Sequence, residues 1–166
     1  MDTDSPVARI LHLEHDRILD LMRRLEMLAR GPWQGQLPNI GDERLSLLLN
    51  ELDYELATAT DHHFEFEEKK TFPALYAVGD VTIPFYLRQE HDFLRNLSEF
   101  MLPKVEAIRR HGFNTDGWVE FRDLSLELSA RHVRNIQHEE AAMLPALEGL
   151  FAEQRESELI SLYAEA

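Results

Sequence analysis

The chain has no cysteine, which excludes disulfides, thiolate-bound metals, iron–sulfur clusters and cysteine nucleophiles. Positive charge is scarce: 17 lysines and arginines stand against 31 aspartates and glutamates, a formal net charge of −14. Such a surface repels nucleic acid and anionic membrane, so neither is expected as a partner. No run approaches the roughly 18 apolar residues of a membrane span, and the opening MDTDSPVARILHLEHD has no basic segment followed by an apolar one. A cytoplasmic location is the expectation. Gly-rich phosphate loops and the His-Glu-x-x-His zinc-hydrolase motif are missing too. No stretch alternates polar and apolar residues long enough for a strand.

What is there is helical periodicity, punctuated by proline and glycine. The length of 166 residues suits one domain with its own core. Ser5-Pro6 reads as an N-cap with proline at the first helical position, and Ile10, Leu11, Ile18, Leu21, Met22, Leu25 and Leu28 then recur at helical spacing, ending near Arg30. GPWQGQLPNIG is a loop, and Asp42 is a cap for a second helix that runs toward Tyr76, with Pro73 expected to kink or end it and Gly79 beyond. A third helix opens at Thr82 and Pro84 and reaches about His111, with local distortion expected at Pro103. The fourth opens near Asp116 and reaches Pro145. The fold class is all-α: an up-down-up-down four-helix bundle over about residues 5–147, followed within about 150–164 by a short helix over Ser157 to Ala164.

This order contains a repeat. Leu-Glu-His-Asp at 13–16 on the first helix returns as Gln-Glu-His-Asp at 89–92 on the third. Glu67-Glu68 with Phe72-Pro73-Ala74-Leu75 on the second returns as Glu139-Glu140 with Leu144-Pro145-Ala146-Leu147 on the fourth, at a constant offset of 72. Two such hairpins packed together turn four His- and Glu-bearing faces toward one axis. His63 and Glu67, four residues apart, leave a helix about 40° from each other, one turn apart on the same face. Nitrogen and carboxylate donors without sulfur suit iron, manganese or zinc, and a cation removes the cost of burying them.

These residues resemble the hemerythrin-like (HHE cation-binding) domain family: His63-x-x-x-Glu67-Glu68 before Phe-Pro-Ala-Leu, Glu-His on the first and third helices, and Glu-Glu before Leu-Pro-Ala-Leu on the fourth. The resemblance runs from about Ile10 to Leu147. It implies a four-helix bundle holding a non-haem iron centre, usually of two irons bridged by carboxylates and an oxo or hydroxo group, with one iron as the lesser case. It makes His15, His63, Glu67, His91 and Glu139 metal ligands, with Glu67 and Glu139 as bridges.

One departure stands out. The family places a histidine four residues before the fourth-helix glutamate, where this chain has Asn135. His132, seven residues before Glu139, is displaced about 20° around the axis and is the expected substitute, with Asn135 or a water as the alternatives. His138, about 100° from Glu139, is expected to point outward. His12 is expected to be partly exposed or to support a ligand. His62 is expected to be solvated, and His111 to sit at a helix C-terminus. Glu65, Glu68 and Glu140 read as surface charge, with a supporting role open to Glu68. The ferritin-like signature Glu-x-x-His is missing at all eight histidines. The expected function is a binding or sensing protein for oxygen, nitric oxide or iron and redox state. The alternatives are a redox enzyme acting on peroxide or nitric oxide, and a metal-free structural or regulatory bundle. A protein partner or homo-oligomer is left open.

Overall fold

A computed structural model describes residues 6–31, 35–150 and 160–165. Ser5, Pro32 to Gln34 and residues 157–159 lie outside these, so the Ser5 cap and the start of the last helix are not among the described features; residues 160–165 are helical. No strand occurs among the described residues, and none of their helices is long and apolar enough to cross a membrane.

The first long helix is α1 (Pro6–Arg30). The second is built in pieces: α2 (Glu43–Tyr54), α3 (Thr60–Phe66) and α4 (Phe72–Ala77), joined without a break by wider turns at Glu55–Ala59 and Glu67–Thr71. The third is α5 (Thr82–His111). The fourth comprises α6 (Thr115–His138), a wider turn at Glu139–Met143, and α7 (Leu144–Glu148). Asp42 caps α2, its carboxylate accepting from Leu45 N at 3.1 Å, and Asn114 caps α6 through Gly117 N at 2.6 Å. Gly112 ends α5 at φ +78°, a conformation that glycine adopts without strain. Pro103 does not interrupt α5, which continues through it. The residue sits on the solvent side, where water can satisfy the carbonyl that loses its partner.

α1 packs on α6 and α2, while α5 packs on α6 and α2, closing the bundle. Two apolar clusters fill it. The larger gathers Leu21, Leu25, Leu52, Met101, Val105, Trp118 and Phe121 at one end. The smaller gathers Leu11, Phe72, Leu75, Leu87, Met143 and Leu147 at the other. Buried polar residues lie between them: His15, His63, Glu67, His91, His132, Asn135 and Glu139, each at most 1% exposed.

Candidate metal centre

Three wider turns shape this layer. In each, the amide N–H five residues on, rather than four, bonds to the carbonyl of a glutamate: Thr60 to Glu55, Phe72 to Glu67 and Leu144 to Glu139. The extra residue re-aims the glutamate relative to the helix that follows, a feature common at functional sites. In the two repeated units the turn is followed by Pro73 and Pro145 in the first positions of the next helix, where a missing N–H costs least. Proline therefore neither ends nor breaks the second helix. The equivalent positions Thr71 and Met143 touch, Oγ1 to Sδ at 3.7 Å, so the two sequence repeats meet at the bundle axis.

Glu67 and Glu139 are both fully buried, and each shows one oxygen to either side. Toward α1 and α3, Glu67 Oε1 is 3.3 Å from His63 Nε2, and Glu139 Oε2 is 2.7 Å from His15 Nε2 and 3.8 Å from His63 Nε2. Toward α5, Glu67 Oε2 and Glu139 Oε1 lie 3.2 and 3.3 Å from His91 Nε2. Donor atoms of His15, His63, Glu67 and Glu139 fall within 4.8 Å of one another. Several of these contacts are not directed hydrogen bonds: both His63 nitrogens, both Glu67 oxygens, His15 Nε2 and Glu139 Oε2 are buried without a hydrogen-bond partner. Leaving that many polar atoms unsatisfied costs a folded chain several kcal/mol unless a cation or added protons join them. The donor set of imidazole and carboxylate fits a divalent or trivalent first-row metal.

A second layer orients the imidazoles. His15 Nδ1 donates to Glu140 at 2.5 Å, and His91 Nδ1 donates to Glu68 at 2.9 Å. Both contacts leave Nε2 facing the carboxylates, the arrangement that suits a metal ligand. Glu140 is thus not free surface charge: it also accepts from His12 at 2.8 Å. Glu68 also accepts from Arg95 Nη1 at 2.7 Å. Stacked on His91 are Phe64, with centroids 3.8 Å apart, and Phe72, at 5.7 Å.

Without a cation the layer compensates itself with protons. Burial opposes charge on His91, but its contacts with Glu139, Glu67 and Glu68 raise it to about 10. Burial is likewise outweighed at His15 by Glu139 and at His63 by Glu67, and both are raised. Burial would raise Glu139, yet His15, His63 and His91 hold it well below the ordinary carboxylate range. Glu68, despite burial, is pulled down to about 2 by His91 and Arg95.

His15, His63, Glu67, His91 and Glu139 therefore converge. His132 is buried beside them but is not among the four clustered donors; its Nε2 has no hydrogen-bond partner, and burial lowers it to about 4. Asn135 Nδ2 donates to Glu90 at 3.2 Å. His138 is exposed and donates to the same carboxylate at 2.7 Å. His62 is not solvated as expected: it is half-buried against Tyr163, centroids 4.9 Å apart. His111 is exposed in the last turn of α5, and Glu65 pairs with Lys69 at the surface.

The sequence reading missed Glu140, Glu90 and Glu55. The first was signalled by the Glu-Glu doublet recurring at the offset of 72, the second by a glutamate preceding each of His15 and His91. Glu55 carries no motif, yet it is fully buried and accepts from Arg17 Nη1 at 2.7 Å and Thr60 Oγ1 at 2.9 Å.

The model of the family described as hemerythrin HHE cation binding domain matches residues 7–147. No curated protein matches the chain.

Proposed function

The chain belongs to the hemerythrin HHE cation-binding domain family, and from that premise we propose that its buried centre holds non-haem iron and binds or senses a small diatomic ligand, oxygen or nitric oxide. The reading is carried by the two-sided presentation of Glu67 and Glu139. Oε1 of Glu67 and Oε2 of Glu139 join His15 and His63 on one side, and their other oxygens join His91 on the opposite side. Two irons sharing these carboxylates would be held unequally. The first side has four protein donors; the second has one imidazole and two carboxylate oxygens, with Asn135 rather than a histidine four residues before Glu139. Bound iron would supply coordination positions and electrons for a small ligand, and the second side, with fewer protein donors, would leave more of those positions free. Phe64 and Phe72 hold His91 in place and keep its surroundings apolar.

The test is metal analysis of protein from iron-fed cells, with optical spectra before and after oxygen and nitric oxide. Wild type is expected to hold close to two irons and to change spectrum with the ligand without consuming it. Glu67→Gln, which touches both sides, should lose most of the iron, and His63→Ala the better-held ion. Wild-type iron content in both variants would refute the centre. Sustained turnover of peroxide or nitric oxide that vanishes in His91→Ala would make the protein an enzyme instead.

A further inference from the structure

The chain has five methionines and no cysteine, so thioethers are its only sulfur, and one of them lies against the centre. Met143 and Thr71 stand four residues after Glu139 and Glu67. That separation puts each on the same face as its glutamate, with roughly 5–6 Å between Cβ atoms, and helical side chains lean back toward the N-terminus. The 3.7 Å contact between Thr71 Oγ1 and Met143 Sδ crosses the bundle axis. The sulfur thus reaches under Glu67 from the helix that carries Glu139, and forms the floor of the space between the two carboxylates. Met143 is fully buried, in the apolar cluster with Phe72, Leu75 and Leu144. The Thr71 hydroxyl has one proton and directs it to the Glu67 carbonyl at 2.7 Å, which leaves the sulfur lone pairs uncommitted.

The other methionines supply a comparison. Met22 and Met101 are equally buried but belong to the other cluster. They follow His15 by seven residues and His91 by ten, about 10 and 15 Å along their helices at 1.5 Å per residue. Met27 is 61% exposed. Oxidation governed by exposure takes Met27 first and leaves Met143 reduced. Oxidation governed by distance from the centre takes Met143 first.

We propose that Met143 is a peroxide-sensing modification site: hydrogen peroxide that reaches the iron-loaded centre oxidises its thioether to the sulfoxide, and the product loosens the iron. The inference rests on the iron reading above. In the step the sulfur gives up two electrons and bonds to one peroxide oxygen, the O–O bond breaks, and the other oxygen leaves as water with both peroxide protons. The new S–O dipole is a stronger acceptor than the thioether and lies in an apolar cluster. It competes with the Glu67 carbonyl for the Thr71 proton, and so disturbs the wide turn that aims Glu67. Reduction of the sulfoxide restores the thioether.

The test treats the iron-loaded and the metal-free full chain with equimolar hydrogen peroxide, reads each methionine by peptide mass spectrometry, and reads iron retention by competition with a chelator. With iron, Met143 should gain one oxygen ahead of Met27, while Met22 and Met101 stay reduced; without iron, Met27 should be oxidised and Met143 spared. The oxidised protein should hold iron about 10-fold more weakly. Met143→Leu, a swap of similar volume, should keep its iron through the same treatment. Oxidation of Met27 ahead of Met143 in the iron-loaded chain, or equal Met143 oxidation with and without iron, would overturn the proposal. Iron loss in Met143→Leu equal to that of wild type would show that the sulfur does not carry the response. A chain that takes up no iron before peroxide is added would remove the centre itself, and this site with it.

Discussion

Glu68 and Glu140 follow the buried carboxylates Glu67 and Glu139 and each fix one imidazole through Nδ1. Loss of such a partner usually lowers metal affinity about 10–100-fold. Glu68→Gln is therefore expected to weaken iron by that factor in competition with a chelator, while Glu65→Gln, at the surface, leaves it unchanged. His132 gives a different residue-scale signature. Burial lowers it from 6.5 to about 4, so between those pH values the unfolded chain takes up a proton that the folded chain refuses. Stability of the metal-free protein should fall as pH drops through this window, by on the order of 3 kcal/mol at one pH unit per 1.36 kcal/mol. His132→Gln removes that contribution. Urea unfolding at pH 6.5 and pH 4 should show a smaller loss in the variant; equal losses would mean that His132 is protonated in the folded protein.

At the scale of an element, the wider turns set how the ligands face. Glu139–Met143 inserts one residue between Glu139 and the buried Leu144 and Leu147. Deleting exposed Ala141 restores ordinary helical spacing and so re-aims Glu139 relative to the helix that follows. Iron content and Tm should both fall although helicity by circular dichroism stays high, whereas Ala141→Ser should change neither. An iron content untouched by the deletion would show that the turn is a passive consequence of Pro145.

For the whole molecule, the centre lies between two apolar clusters and touches all four long helices. A cation bound there stabilises the bundle as a unit. With free iron at a hundredfold over its Kd the added stability is about 2.7 kcal/mol, a rise in Tm of roughly 5–10 °C for a chain of this size. Calorimetry before and after chelation checks this. Glu67→Gln should have the Tm of the metal-free wild type, or higher, and be insensitive to added iron.

The sequence by itself determined the four helices and most of the centre, because both depend on spacings along one chain. Leu11, Ile18 and Leu25 follow the period of a buried helix face, and His63 with Glu67 needs only one turn of helix to converge. The repeat at 72 carried the same logic to Glu139. Tertiary structure decided what depends on packing between helices. Only the meeting of α1 with the fourth helix makes Glu140 a partner of His15 and His12. Only the contact between α5 and α6 engages Asn135 with Glu90. Glu55 belongs to no motif, and its burial follows from Arg17 on a neighbouring helix meeting it with an opposite charge. Periodicity gives the direction of a side chain on its own helix, and the distance to a partner on another helix is set by how the bundle closes.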